Sequence, residues 1–133
     1  MGAIRLSEVE NLIKEQFVPF RQRLVETLRK KHPYILSTVD RILADKKNRI
    51  GMQVTENGNV IGEFTFLLDG IDIEKTEVGS LSPELYHPFL GVIKPYIMVE
   101  RQALENAMKD DAFFDSLTRI ANYLPDMTLK FQR

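Results

Sequence analysis

The sequence has no cysteine and only two histidines. The first absence excludes disulfides, thiol catalysis and thiolate metal sites, and it fits a cytoplasmic protein. The second leaves little for a metal. His32 and His87 each precede a proline, and neither has a second histidine or a carboxylate at ligand spacing, so no zinc pattern exists. Asp69, Asp72 and Glu74 in "DGIDIE" lack the spacing and the closing glutamate of a calcium loop. No apolar run approaches the ~18 residues of a transmembrane helix. No N-terminal apolar region reads as a secretory signal. Leu6 stands where a myristoylation motif wants serine or threonine. A Walker loop and a dinucleotide fingerprint are both missing. Ser80, Ser82 and His87 lie close together, but no strained nucleophile elbow surrounds them. With no base–nucleophile pair to name, the chain reads as a non-enzyme without a cofactor.

What is present is an ordinary globular composition. In 133 residues, 44% are hydrophobic and 28% charged, enough for one domain (1–133) with a real core. The net charge of −1 makes no case for nucleic acid. The charge is uneven, however: residues 1–49 carry +5 and residues 50–133 carry −6. A basic front half admits contact with an anionic membrane surface. The plainer reading is that the halves attract each other or form solvated faces.

Residues 7–47 read as helices. Val9, Leu12, Ile13, Phe17, Phe20, Leu24 and Leu28 recur every three or four residues. Ser7 and Glu10 fit a capping box. Pro19 interrupts the pattern, and a kink or break is expected there because proline removes a hydrogen bond and crowds the preceding turn. After His32-Pro33, the residues Tyr34, Ile35, Val39, Ile42 and Leu43 form a second apolar face.

Residues 49–78 read as a three-stranded meander. At the second turn, a two-residue Asp69-Gly70 loop pairs Leu68 with Ile71 and Phe66 with Ile73. At the first turn, a two-residue Asn57-Gly58 loop would pair Met52 with Glu63 and split the apolar sets between faces. An odd count, from a three-residue or bulged turn, restores agreement. One face then holds Ile50, Met52, Val54, Val60, Phe64, Phe66, Leu68, Ile71 and Ile73. The other is mostly wet but includes Ile61, Leu67 and Val78.

The segment 79–95, with three prolines, reads as a long loop or broken helix. Ser82-Pro83 looks like a helix start. Its Leu85, Tyr86, Phe89, Leu90, Val92 and Ile93 suggest that it is packed down. Residues 96–133 read as strand, helix, helix, strand. Ala103, Leu104, Ala107 and Met108 make one helical stripe. Phe113, Phe114, Leu117, Ile120, Ala121 and Leu124 make another, with Asp110 and Asp111 as its cap. Met127, Leu129 and Phe131 alternate as a closing strand. The fold class is α+β: a five-stranded antiparallel or mixed sheet with helices on one face.

In the order of elements over residues 50–131, and in the segments "GEFTFLLDG", "YIMVERQALENAMKDDAFF" and "MTLKF", the chain resembles the sterol-carrier-protein type 2-like family. The resemblance implies a curved sheet with helices on one side enclosing a tunnel for fatty-acyl chains, sterols or similar lipids. The residues carried over are Phe64, Phe66, Met98, Leu104, Met108, Phe113 and Phe114. The approach to the last strand departs from the family's glycine-lysine and reads "LPDMTLK" here. The functional expectation is a non-enzymatic carrier of an apolar small molecule or lipid. The alternative is a protein–protein interaction or homodimerisation module with a filled core, in which an edge strand pairs with a second copy.

Overall fold

Alternation along residues 47–54 and 62–69 places even-numbered apolar residues on one side of two strands, and the pairing keeps them there. The computed structural model describes residues 8–43, 47–110 and 127–133. Strand β1 (Lys47–Glu56) pairs antiparallel with β2 (Asn59–Asp69), with Ile50 opposite Phe66 and Met52 opposite Phe64. The connection is a two-residue turn. Asn57 and Gly58 both have positive φ, 53° and 82°, as a type I′ hairpin requires. The odd residue sits further up the ladder. Val54 faces Gly62 and Thr55 faces Val60, so Ile61 is bulged out. The expected odd count is therefore met by a bulge in the strand, while the turn keeps its ideal length.

Strand β3 (Asp72–Val78) pairs antiparallel with β2, but around Gly70-Ile71 rather than Asp69-Gly70. Leu68 faces Ile73, not Ile71, and Phe66 faces Thr76 after a second irregularity. Gly70 takes φ 61°, which a glycine adopts without the steric cost of a Cβ. Ile71 is left in the turn, off the ladder. Val60, expected inside, is half exposed beside the first turn.

Segment 79–95 holds a small hairpin instead of a helix: β4 (Leu85–His87) and β5 (Gly91–Ile93). Strand β6 (Pro95–Glu100) then runs parallel to β1, and β7 (Met127–Phe131) pairs antiparallel with β6. The sheet order is β3-β2-β1-β6-β7. To reach β6, the chain crosses the sheet's second face as a strap. Thr65 Oγ1 donates to Ser80 O at 2.7 Å and accepts from Ser82 N at 2.9 Å. Arg49 and Glu84 exchange two backbone hydrogen bonds of 2.8 and 2.9 Å. A Cβ on Gly51 would lie 2.6 Å from Leu81 Cδ1 and 2.8 Å from Tyr96 Cβ, so only glycine lets strap and strands approach this closely. The second face is thus covered at its centre rather than wet.

Helix covers the first face. Residues 8–31 are helical throughout, and Pro19 causes no break. The stretch Leu12–Phe17 is wound as a π-helix, with Val18 N–H donating five residues back to Ile13 O. A wider turn just before the proline relieves the crowding its ring creates in an α-helix. Helix α1 (Val18–Lys31) continues from it, followed by α2 (Pro33–Leu43). Val9, Leu12 and Ile13 join Met52, Val54, Phe64, Phe66, Leu68, Val99 and Leu104 in the core, and Phe17 meets Phe66 with ring centroids 5.7 Å apart. Helix α2 turns Leu36 and Leu43 inward and leaves Tyr34, Ile35 and Ile42 exposed, so its buried stripe is rotated from the one expected. Arg29 Nη1 donates to Asp40 Oδ2 at 2.9 Å, joining α1 to α2.

Helix α3 (Arg101–Lys109) starts directly after β6. Leu104 and Ala107 are buried, and Ala107 packs with Phe20 of α1. Glu100 ends β6 by tying it to the first hairpin. Its Oε2 accepts from Thr55 Oγ1 at 2.6 Å and its Oε1 from Asn57 N at 2.8 Å. Arg101 reaches Glu8, Glu56 and Glu105, and the hydrogen bond to Glu105 is the main cause holding its pKa above the ordinary value. Asp110 closes α3 through N–H to Ala107 O, and the later helix it was expected to cap lies outside the described residues. The expected second stripe from Phe113 to Leu124, Asp111 and Ser7 lie outside the described residues.

Candidate functional site

The seven residues expected to line an apolar pocket do not share one environment. Phe64, Phe66 and Leu104 are core residues at 0%, 4% and 2% exposure, and Met108 packs against the same cluster. The helical segment carrying Val9, Leu12 and Ile13 already occupies the space facing them. Met98 is on the other side of the sheet. Ile97 aligns with Met52 and Val99 with Val54, so Met98 aligns with Gln53 and shares the second face with it. Phe113 and Phe114 lie outside the described residues.

Apolar surface is exposed elsewhere. The β4–β5 hairpin, expected to be packed down, carries Phe89 at 92%, Leu90 at 70% and Val92 at 52% exposure. Its tip is nonetheless ordered by local bonds. His87 Nδ1 accepts from Phe89 N at 3.1 Å and from Leu90 N at 3.0 Å, and Gly91 turns the chain at φ 76°. Beside the hairpin lies β7, an edge strand of the sheet among the described residues. Phe131 aligns with Pro95 and Leu129 with Ile97, so both lie in the apolar row of Ile97 and Val99, yet they are more than half exposed. Val92, Ile93 and Phe131 line an open groove of about 240 Å³ that joins hairpin to edge strand. Composition gives no sign of this surface, because an exposed Phe-Leu step and a buried one look alike in sequence.

A third feature is polar. A depression of about 390 Å³ is lined by Lys47, Asn48, Arg49, Leu67, Leu68, Glu74, Lys75, Glu84 and Tyr86. The register puts Arg49 opposite Leu67 and Leu67 opposite Lys75, one row across three strands. Glu84 approaches Arg49 Nη2 at 3.6 Å and accepts a 2.7 Å hydrogen bond from the Tyr86 phenol. That bond, then the charge of Glu84, pushes the Tyr86 pKa up. Asn48 is 1% exposed. Its Oδ1 accepts from Tyr86 N at 2.9 Å, while its Nδ2 has no partner. The buried Arg49 Nε also has none.

Among the described residues, no group of three or more histidine, aspartate or glutamate side chains is placed to hold a metal ion. None of their helices is long and apolar enough to cross a membrane. No family model matches the chain, and no curated protein matches it.

Proposed function

We propose that the protein is a non-catalytic interaction module that self-associates through the β7 edge, with the apolar hairpin extending the contact. The observation that carries this reading is the pair Leu129 and Phe131, 61% and 56% exposed on β7, one of the two edge strands of the sheet among the described residues. An outer strand presents a row of backbone donors and acceptors to a partner. The sequence "MTLKF" is suited to meeting itself antiparallel with Leu129 on the two-fold axis. Met127 then faces the second copy's Phe131 on the apolar side, and Lys130 faces Thr128 rather than another lysine. A strand pair alone falls short of the roughly 1,200 Å² of a stable interface, so Phe89, Leu90 and Val92 supply the rest. The test is sedimentation equilibrium. A monomer–dimer equilibrium that Leu129→Lys shifts to monomer is expected. A monomer at every concentration, or a dimer indifferent to Leu129→Lys and Phe89→Ser, refutes the reading.

A second reading is the carrier of an apolar ligand that the sterol-carrier-protein resemblance implies. It is supported by the gathering of Phe64, Phe66, Leu104 and Met108 in one cluster. It requires the helical segment 8–17 to move aside, because that segment fills the space such a ligand would take. Native mass spectrometry after incubation with a fluorescent fatty acid tests it. A stoichiometric adduct lost in Leu104→Arg is expected, and recovery of the bare chain mass alone rejects it.

A further inference from the structure

We infer that helix α2, with the corner that joins it to α1, docks the protein onto an anionic membrane surface. The helix is apolar on two opposite sides. Leu36 and Leu43, two turns apart, are buried. Tyr34, Thr38 and Ile42 follow one another at single-turn spacing along the other side, and Ile35 lies two turns before Ile42. Tyr34 is 86%, Ile35 46% and Ile42 40% exposed. A helix that only covers a core turns a polar face to water, so an outward apolar stripe calls for a second apolar neighbour. The charges identify that neighbour. Arg29, Lys30 and Lys31 end α1, and Lys30, Lys31 and Arg41 are all exposed. Arg41 is a turn beyond Thr38, at the edge of the stripe. Lys30 and Lys31 stand at its head, where α1 ends at Lys31 and α2 begins at Pro33. Asp40, the one carboxylate in the sequence of α2, is turned to α1, where it accepts from Arg29 Nη1 at 2.9 Å. An apolar stripe rimmed by cations is the pattern with which an amphipathic helix lies among anionic headgroups. Tyrosine suits the same place, since its ring settles at the boundary of water and hydrocarbon. A second copy of this chain is a poor occupant, because two-fold contact here would set one cation-rimmed face against another. Neither the self-association reading nor the carrier reading uses any of these residues.

The test is co-sedimentation of the full chain with phosphatidylcholine vesicles containing about a third phosphatidylserine, against vesicles of phosphatidylcholine alone, at low ionic strength. The chain has no tryptophan, so Tyr34→Trp places a single indole reporter on the stripe. Binding to the mixed vesicles only, with a blue shift of the indole emission, is expected. Neutralising one exposed cation by Lys30→Gln should weaken partitioning about fivefold. Removing the most exposed ring of the stripe by Tyr34→Ser should weaken it about tenfold. Both variants should melt as the wild type does, because both side chains are exposed. Equal binding to the two kinds of vesicle, binding to neither, an unshifted indole emission, or partitioning that Lys30→Gln and Tyr34→Ser leave unchanged each overturns the proposal. Capture by polyglutamate without binding to the mixed vesicles overturns it too, and assigns the face to an acidic protein instead.

Discussion

Replacing Gly51 with alanine tests whether the strap and the parallel strand are truly pressed onto β1. Gly51 has no positive φ, so alanine can adopt its backbone conformation and any cost is steric. The added methyl would meet Leu81 Cδ1 at 2.6 Å and Tyr96 Cβ at 2.8 Å, both closer than carbon atoms tolerate. Leu81 can turn away because the contact is at the end of its side chain. Tyr96 Cβ cannot, since it moves only with β6. Overpacking of this kind costs ~1–3 kcal/mol. Removing a glycine from the unfolded chain returns ~0.5–1 kcal/mol. The net expectation is ~1–2 kcal/mol of destabilisation, near a 4–8 °C fall in Tm at about 4 °C per kcal/mol for a domain of this size. Urea denaturation and thermal melting of wild type, Gly51→Ala, Leu81→Ala and the double variant form a cycle. The double variant should recover only the part due to Leu81, leaving a coupling of at least ~0.5 kcal/mol. A Gly51→Ala protein as stable as wild type, or strictly additive effects, would refute the close approach.

Two further outcomes follow from the hydrogen bonds. Tyr86 has its folded-state pKa raised by Glu84, so the stability from that bond is present below the ordinary tyrosine range and is lost as pH rises through the folded value. Alkaline absorbance titration should therefore lose a late-titrating component in Tyr86→Phe and show it moved earlier in Glu84→Gln; a curve that neither substitution changes beyond its amplitude would contradict it. Glu100→Ala removes the carboxylate that accepts from Thr55 Oγ1 and Asn57 N, and urea denaturation should show a loss of about 1–2 kcal/mol.

The meander was readable because face and register must agree. Met52 opposite Phe64 could be deduced from the requirement that apolar residues share a side, even though the device that achieves it, a bulge at Ile61, could not be located. Pro19 was visible as a problem, but its solution depends on how neighbouring carbonyls rearrange, and a π-turn leaves no mark in the pattern. The segment 79–95 was misread more seriously. Its apolar residues match those of a packed loop, and only the ladder Leu85 to Ile93 decides that the tip projects. The placement of Met98 was lost to parity: a residue's side of the sheet depends on register with β1, which β6 acquires from a partner distant in sequence. The polar depression was legible only as separate charges, since Arg49, Leu67 and Lys75 become neighbours through pairing alone.

The parallel seam between β1 and β6 has a kinetic consequence. The three strands of the meander are joined by tight turns and can pair soon after synthesis, whereas Gly51 meets Tyr96 only after the intervening chain has wrapped behind them. Long-range closure of that kind slows folding and makes its contacts late to form. Until then β1 carries a bare flank, so a nascent or partly unfolded chain offers a strand for mispairing at a place the finished molecule conceals.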